Sequence, residues 1–263
     1  MPYADLPDVR IHYQLEGDAA KPVLVLSNSL GTTLDMWAPQ VTKLTEYFRL
    51  LRYDTRGHGQ SQVTPGPYTI AQLGADVIGL LDHLGIEQTH FCGLSMGGIT
   101  GMWLASTHPQ RIRRLVLSNT ASLIGPPENW TARAQKVLAD GVASIAPAVV
   151  SRWLTPEFAQ QHAQQVAQLE AMLSATPAAG YAASCHAVRD ADLREALKHI
   201  TAPTLVIGGS GDLPTPPSDS AYLVSSIAGA SYVELEAAHL SNLQQPERYT
   251  AALLAFLQQS DQD

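Results

Sequence analysis

Short runs that read as buried strands alternate with helical runs along most of the chain. This alternation constrains the fold more than any other feature. "VRIHYQLEG" alternates apolar and polar residues and ends on a Gly-Asp turn signal. "KPVLVLSNS" is a continuous apolar run closing in small polar residues, the pattern of a parallel strand buried on both faces. The helical "MWAPQVTKLTEYF" comes next, then the strand "RLLRY" with its glycine-rich continuation "DTRGHGQS". In "TIAQLGADVIGLLDHLGI", Ile70, Leu73, Val77, Leu80, Leu81 and Leu84 recur at helical spacing, and Gly85 stops the helix. The strand "QTHFCGLS", the helix "GGITGMWLASTHP" and the strand "IRRLVLSNTA" complete this half. Consecutive parallel strands need crossovers, and helices supply them. The expectation is an α/β fold built on a mostly parallel, doubly wound sheet.

The alternation then stops. Residues 122–200 carry helical pieces and no convincing strand: "NWTARAQKVLADGV", "APAVVSRWL", "PEFAQQHAQQVAQLEAML" and "PAAGYAASCHAV", punctuated by prolines. It resumes with the strand "APTLVIGGSGD", the helix "SDSAYLVSSIA", the strand "SYVELEAAH" and the helix "PERYTAALLAFLQQ". The expected organisation is a core over residues 1–121 and 201–263, interrupted by a helical insertion over residues 122–200.

Composition narrows the function classes. Hydrophobic residues are 45% of the 263, enough for a sizeable core. A net charge of −8 with no long basic run argues against nucleic acid and anionic membrane surfaces as partners. No apolar run reaches the ~18 residues of a membrane span, and the N-terminus lacks the apolar stretch and early basic cluster of a signal peptide. The two cysteines, Cys92 and Cys185, fit a reduced, cytoplasmic protein. No Cys/His spacing resembles a zinc site, so no metal is expected.

"THFCGLSMGGITGMWLA" carries the chemistry. Ser95 sits among Gly93, Gly97, Gly98 and Gly101, and Gly93–Gly97 fits G-x-S-x-G between a predicted strand and a predicted helix. A nucleophile on such a sharp turn holds a strained backbone, and side chains beside it would collide. The following helix aims its N-terminal N–H groups where negative charge develops. Ser95 is therefore the expected nucleophile. A serine needs a base, and in this arrangement the order along the chain is serine, acid, histidine. Of the nine histidines, His239 in "EAAHLSNLQQP" follows the last strand. His58 in "DTRGHGQS" is its rival but precedes the serine. Asp212, a few residues beyond the strand "PTLVIGG", is the expected orienting acid. The other acid position, after "RRLVLSNT", holds Asn119, which supplies no charge. Asp54, in Asp54-x-Arg56-Gly57-x-Gly59-x-Ser61, reads as the organiser of a structural loop. The loop "VLSNSLGTT" is expected to contribute the Leu30 N–H to an oxyanion site, paired with the N–H of Met96.

These residues resemble the α/β-hydrolase superfamily along the whole chain. More narrowly, "LSNSLGTTLDMW", "YDTRGHGQS", "GLSMGGITGMWLA", "WTARAQKV", "CHAVRDADLR", "GDLPTPP" and "AAHLSN" resemble the 3-oxoadipate enol-lactonases of the bacterial β-ketoadipate pathway. "SNSLGT", where most relatives carry His-Gly, and "HLSN" are the more particular segments. "GGSGDLPTPP" departs from the family pattern but keeps Asp212. The resemblance implies an α/β-hydrolase fold with a helical cap inserted after the sixth strand. It also implies a small anionic lactone as substrate and no cofactor. An anion in an otherwise apolar cap pocket needs a cation, and Arg133 in "NWTARAQKV" is the candidate, since a guanidinium binds a carboxylate bidentately. Trp130 and Trp153 are candidate pocket walls, and Ser29 a candidate ligand contact. Carboxylesterases, carbon–carbon bond hydrolases and perhydrolases on this scaffold would use the same triad. Dehalogenases and epoxide hydrolases of this fold place an aspartate where this chain has Ser95.

Overall fold

The structure is a computed structural model and describes residues 2–259. Its strands are β1 (Tyr3–Asp5), β2 (Arg10–Glu16), β3 (Val23–Ser27), β4 (Arg49–Tyr53), β5 (Thr89–Leu94), β6 (Ile112–Ser118), β7 (Thr204–Gly209) and β8 (Ser231–Leu235). The crossover helices are α1 (Ala38–Leu44), α2 (Ile70–His83) and α3 (Met96–Thr107). The helices α4 (Pro127–Asp140), α5 (Ala146–Val150), α6 (Pro156–Gln161), α7 (Ala163–Ser174) and α8 (Ala178–Arg189) lie between β6 and β7. The chain closes with α9 (Pro217–Ser226), α10 (Ser241–Gln244) and α11 (Pro246–Leu257).

All eight strands form one sheet in the order β1-β2-β4-β3-β5-β6-β7-β8. β1 and β2 run antiparallel to their neighbours, and β4 through β8 pair in parallel. Every residue of β5 and of β7 is buried, as expected of parallel strands covered by helices on both faces. α1 packs with α11, and α2 with α3, so helices cover the sheet. Trp37 and Tyr249 join the first of these layers through rings 6.2 Å apart.

Four features depart from the sequence reading, one of them the break of "PEFAQQHAQQVAQLEAML" at His162 into α6 and α7. β1 was not anticipated, because three residues are too few to show a period. The helix expected over "MWAPQVTKLTEYF" is a 3₁₀ turn, Leu34–Trp37, followed by the seven residues of α1, with Pro39 in the first turn of α1. The helix expected over "APAVVSRWL" stops at Val150. A new helix starts beyond it because Pro156 pushes Thr155 out of the helical region, and the Thr155 hydroxyl then accepts the Phe158 N–H at 3.3 Å.

The parallel strands all point one way, so the loops at their carboxyl ends gather at one edge. After β3 the chain crosses to β4 on one side, and then to β5 on the other. Loops diverge at such a reversal and leave a crevice. The helices between β6 and β7 lie over this edge. The Tyr68 N–H donates to the α8 carbonyl of Ala183 at 3.2 Å, and the Leu240 N–H donates to the carbonyl of Trp153 at 2.9 Å.

Candidate active site

Ser95 occupies the single-residue turn between β5 and α3, with φ 57° and ψ −116°. A positive φ in a residue with a Cβ costs on the order of 1–3 kcal/mol, so the surroundings must hold it. They do: the Ser95 N–H donates to the Ser118 carbonyl at 2.9 Å, across the β5–β6 pair. The Ser95 carbonyl accepts from the Ile99 N–H at 3.0 Å and from the Thr120 hydroxyl at 2.8 Å. The flanking glycines are needed for close approach. A Cβ on Gly93 would fall on the Gly97 carbonyl, and one on Gly97 would fall on the Ser27 carbonyl of β3. Both φ values are ordinary, so clearance and not backbone freedom selects glycine here.

Asp212 and His239 come from the loops after β7 and β8, which are adjacent in the sheet. The Ser210 N–H donates to Leu235 and the Gly211 N–H to Ala237, both at 2.9 Å, and these bonds set the two loops side by side. The His239 Nδ1 lies 3.1 and 3.0 Å from the two carboxylate oxygens of Asp212. A carboxylate only accepts, so Nδ1 carries the proton and the neutral ring presents a bare Nε2. Asp212 accepts three more hydrogen bonds. The Thr215 N–H reaches Oδ1 at 3.0 Å, the Thr215 hydroxyl reaches Oδ2 at 2.8 Å, and Asn119 Nδ2 reaches Oδ2 at 2.9 Å. Burial pushes the Asp212 carboxyl up, but the electrostatic pull and hydrogen bond of His239 and these other donors outweigh burial and hold it below the ordinary aspartate value.

Asn119 thus stands at the other position from which an acid could serve, and there it supports Asp212. Its backbone is left-handed, at φ 44°, and its Nδ2 also donates to the Ala238 carbonyl at 3.2 Å. Its Oδ1 accepts the hydroxyls of Ser118 and Ser241 at 3.1 and 2.5 Å. Neither Thr215, Ser241 nor this use of Asn119 was anticipated from sequence. Asp54 holds a loop together: it accepts from the N–H groups of Leu34 and Gln60 at 2.9 Å and contacts His12 Nδ1 at 2.7 Å. Arg56, one turn on, is buried against Asp76 and reaches Asp8 at 3.3 Å.

A cavity of about 450 Å³ opens at Ser95 and His239. Ser29 and Leu30 line it from the loop after β3, Trp130 and Arg133 from α4, and Trp153 from the turn between α5 and α6. All the residues singled out for nucleophile, base and pocket therefore meet at one space, and Asp212 sits behind His239. The Met96 N–H, at the start of α3, and the Leu30 N–H have no protein acceptor among the described residues. The cavity also holds residues that the sequence did not single out: Arg152, Tyr181 and Asp219. Arg133 and Arg152 make no ion pair among the described residues, and the Arg133 guanidinium lies 4.8 Å from the Trp130 ring centroid. Burial raises the Asp219 carboxyl, and the Asp212 charge adds to the rise. Two arginines and one aspartate line the cavity, with the Asp212 carboxylate behind His239.

Geometry of this kind can perform acyl transfer, in which a serine attacks a carbonyl, a histidine moves the proton and backbone donors receive the oxyanion. Comparison with known proteins agrees. The family model for the alpha/beta hydrolase fold matches residues 22–246. The chain is 43% identical over 250 residues to 3-oxoadipate enol-lactonase 2 of Acinetobacter baylyi, covering 95% of this chain and 94% of that protein. It is 40% identical to enol-lactonase 1 of the same organism, covering 93% and 91%. The crystal structure of the enol-lactonase from Burkholderia xenovorans superposes with a TM-score of 0.97 at 46% identity, covering 98% of this chain and 100% of that one. By its sequence and its fold, the chain belongs to the α/β-hydrolase fold family.

Proposed function

We propose that the protein hydrolyses 3-oxoadipate enol-lactone to 3-oxoadipate, in the catabolism of aromatic compounds through β-ketoadipate. The observation that carries this reading is the likeness along nearly the whole chain, helical segment included, to proteins named for that activity. A cytoplasmic location belongs to the same reading, and the two free, buried thiols support it. We take residues 122–200 as a cap domain on the core.

In this mechanism Ser95 Oγ attacks the lactone carbonyl while His239 Nε2 takes its proton. The N–H groups of Leu30 and Met96 receive the oxyanion. Asp212 holds the His239 tautomer and stabilises the ring once it is charged. Collapse breaks the bond from the carbonyl carbon to the ring oxygen. The leaving enolate takes the proton from His239 and rearranges to the ketone, which removes the nucleophile needed for ring closure. A water then gives its proton to His239 and attacks the acyl-enzyme. Ser95 leaves with that proton, and the new carboxylic acid gives its own proton to solvent, so the product departs with a second carboxylate. Arg133 and Arg152 are the cations for the acetate arm, Trp130 and Trp153 the apolar walls, and Ser29 a polar contact beside the oxyanion loop. The chemistry needs no metal or organic cofactor.

The test is direct. Purified protein should consume the enol-lactone, and Ser95→Ala should not. Rapid cleavage of simple neutral esters with the lactone untouched would remove the substrate assignment and leave the fold as it is.

A further inference from the structure

His58 is a buried histidine to which the mechanism gives no task. It lies in the loop after β4, and its Nε2 is 3.0 Å from the N–H of Gly31. A backbone amide can only donate, so Nε2 is the bare nitrogen and the ring proton sits on Nδ1. Nδ1 faces the Arg56 carbonyl at 3.3 Å, an acceptor for that proton. The two contacts together select one tautomer of a neutral ring. Burial pushes His58 down in pKa and so favours the neutral form, while the Arg56 carbonyl and the Asp54 charge oppose it less strongly.

The Gly31 N–H shares a peptide plane with the Leu30 carbonyl, so an acceptor for it fixes one of the two planes that flank Leu30, and the other plane carries the Leu30 N–H together with the Ser29 carbonyl. On the near side the turn is closed by the Thr32 N–H and hydroxyl, which donate to the Ser29 carbonyl at 3.2 and 2.8 Å. On the far side Gly31 has φ +80°, and a Cβ there would run into Leu173 and Tyr181 of the cap. Between these, the Gly31 N–H donates to His58, and the Gly31 carbonyl lies 3.5 Å from the Thr176 hydroxyl.

We propose that His58 is a positioning residue for the oxyanion site: by accepting the Gly31 N–H it holds the Leu30 turn so that the Leu30 N–H faces the cavity before substrate enters. The inference rests on the reading of Leu30 and Met96 as the oxyanion donors. It assigns the histidine of the "DTRGHGQS" loop to the geometry of the transition state and not to proton transfer. A donor held in advance needs no reorganisation when charge develops. Releasing it weakens the transition state more than the ground state, so the loss falls on kcat and not on KM.

The experiment compares wild type, His58→Gln and His58→Met on the lactone and on a neutral chromogenic ester. Circular dichroism and Tm serve as fold controls. Glutamine places an amide oxygen near the Nε2 position, and methionine fills similar space without a strong acceptor. His58→Met should lose roughly 10- to 100-fold in kcat on both substrates, part of the loss expected for removing a whole donor. Its KM should stay within about twofold of wild type, and His58→Gln should recover most of the rate. Equal losses in the two variants, a loss confined to KM, or no loss would overturn the proposal. If wild type itself leaves the lactone untouched, the substrate reading fails and the ester alone judges His58. Should His58→Met not fold, nitrogen-15 spectra of histidine-labelled wild type decide the matter. A bare Nε2 with a protonated Nδ1 on His58 is expected, and a protonated Nε2 would overturn the proposal.

Discussion

Replacing Asp212 by asparagine keeps its shape and removes its charge, so it isolates what the carboxylate does. Four donors converge on its two oxygens: His239 Nδ1, the Thr215 N–H, the Thr215 hydroxyl and Asn119 Nδ2. An amide must turn one oxygen into an NH₂. Placed at Oδ1, that group opposes the Thr215 N–H; placed at Oδ2, it opposes Asn119 Nδ2. Asn119 cannot simply flip, because its Nδ2 also serves the Ala238 carbonyl. Either orientation leaves a buried donor unpaired, at a cost of about 1–3 kcal/mol in stability. The effect on rate is larger. An NH₂ facing His239 Nδ1 favours the tautomer with its proton on Nε2, which cannot accept the Ser95 proton, and no charge remains to stabilise the imidazolium. Loss of both functions lowers kcat by about 10⁴-fold, which is roughly 5–6 kcal/mol of barrier at 1.36 kcal/mol per decade. Steady-state hydrolysis of the lactone should therefore show a collapse of kcat with KM nearly unchanged. A kcat within about tenfold of wild type would refute the argument, since a tenfold loss matches only about 1.4 kcal/mol.

The same substitution has a signature in stability. The Asp212 carboxyl is held below its ordinary value in the fold. A depressed carboxyl contributes stability that is present above the unfolded value of about 3.9 and is lost as pH falls through the folded value. Urea midpoints measured from pH 6 downwards should therefore fall less steeply below about pH 4 in Asp212→Asn than in wild type.

Other expectations follow from neighbouring groups. Arg133→Ala and Arg152→Ala should each raise KM for the anionic lactone more than for a neutral ester, and equal effects on both substrates would remove the anchor role. Gly97→Ala drives a Cβ into the backbone of β3, so it should destabilise by about 1–3 kcal/mol or more, read as a lowered denaturant midpoint, whereas an unchanged midpoint would mean that α3 has room to shift. Cys92 and Cys185 are buried, and burial pushes both thiols up to about 12, opposed at Cys92 by a hydrogen bond with Tyr249 and at Cys185 by the Arg133 charge. The native protein should therefore resist alkylation at pH 8, and both thiols should react only after unfolding.

What could be read from sequence is what the chain writes locally. The alternation of apolar runs and helical spacing is a property of consecutive residues, so the sheet, its crossovers and the break at the helical segment were all legible. Ser95 was legible for the same reason: strand, turn, glycines and helix are contiguous, and the collisions that demand Gly93 and Gly97 occur within and beside that unit. Asp212 and His239 could be picked out because the order of strands places their loops in a known sequence along the chain. Only the tertiary structure brings together what lies far apart. Asn119 on Asp212, Arg152 and Asp219 in one cavity with Arg133, and His58 on the Gly31 amide join residues 19 to 93 positions apart. No local period marks such pairs, because a loop residue's partner depends on how the strands are ordered and not on its neighbours in sequence. The serine, the acid and the histidine can be singled out in the sequence; the hydrogen bonds that join them into one candidate site belong to the fold.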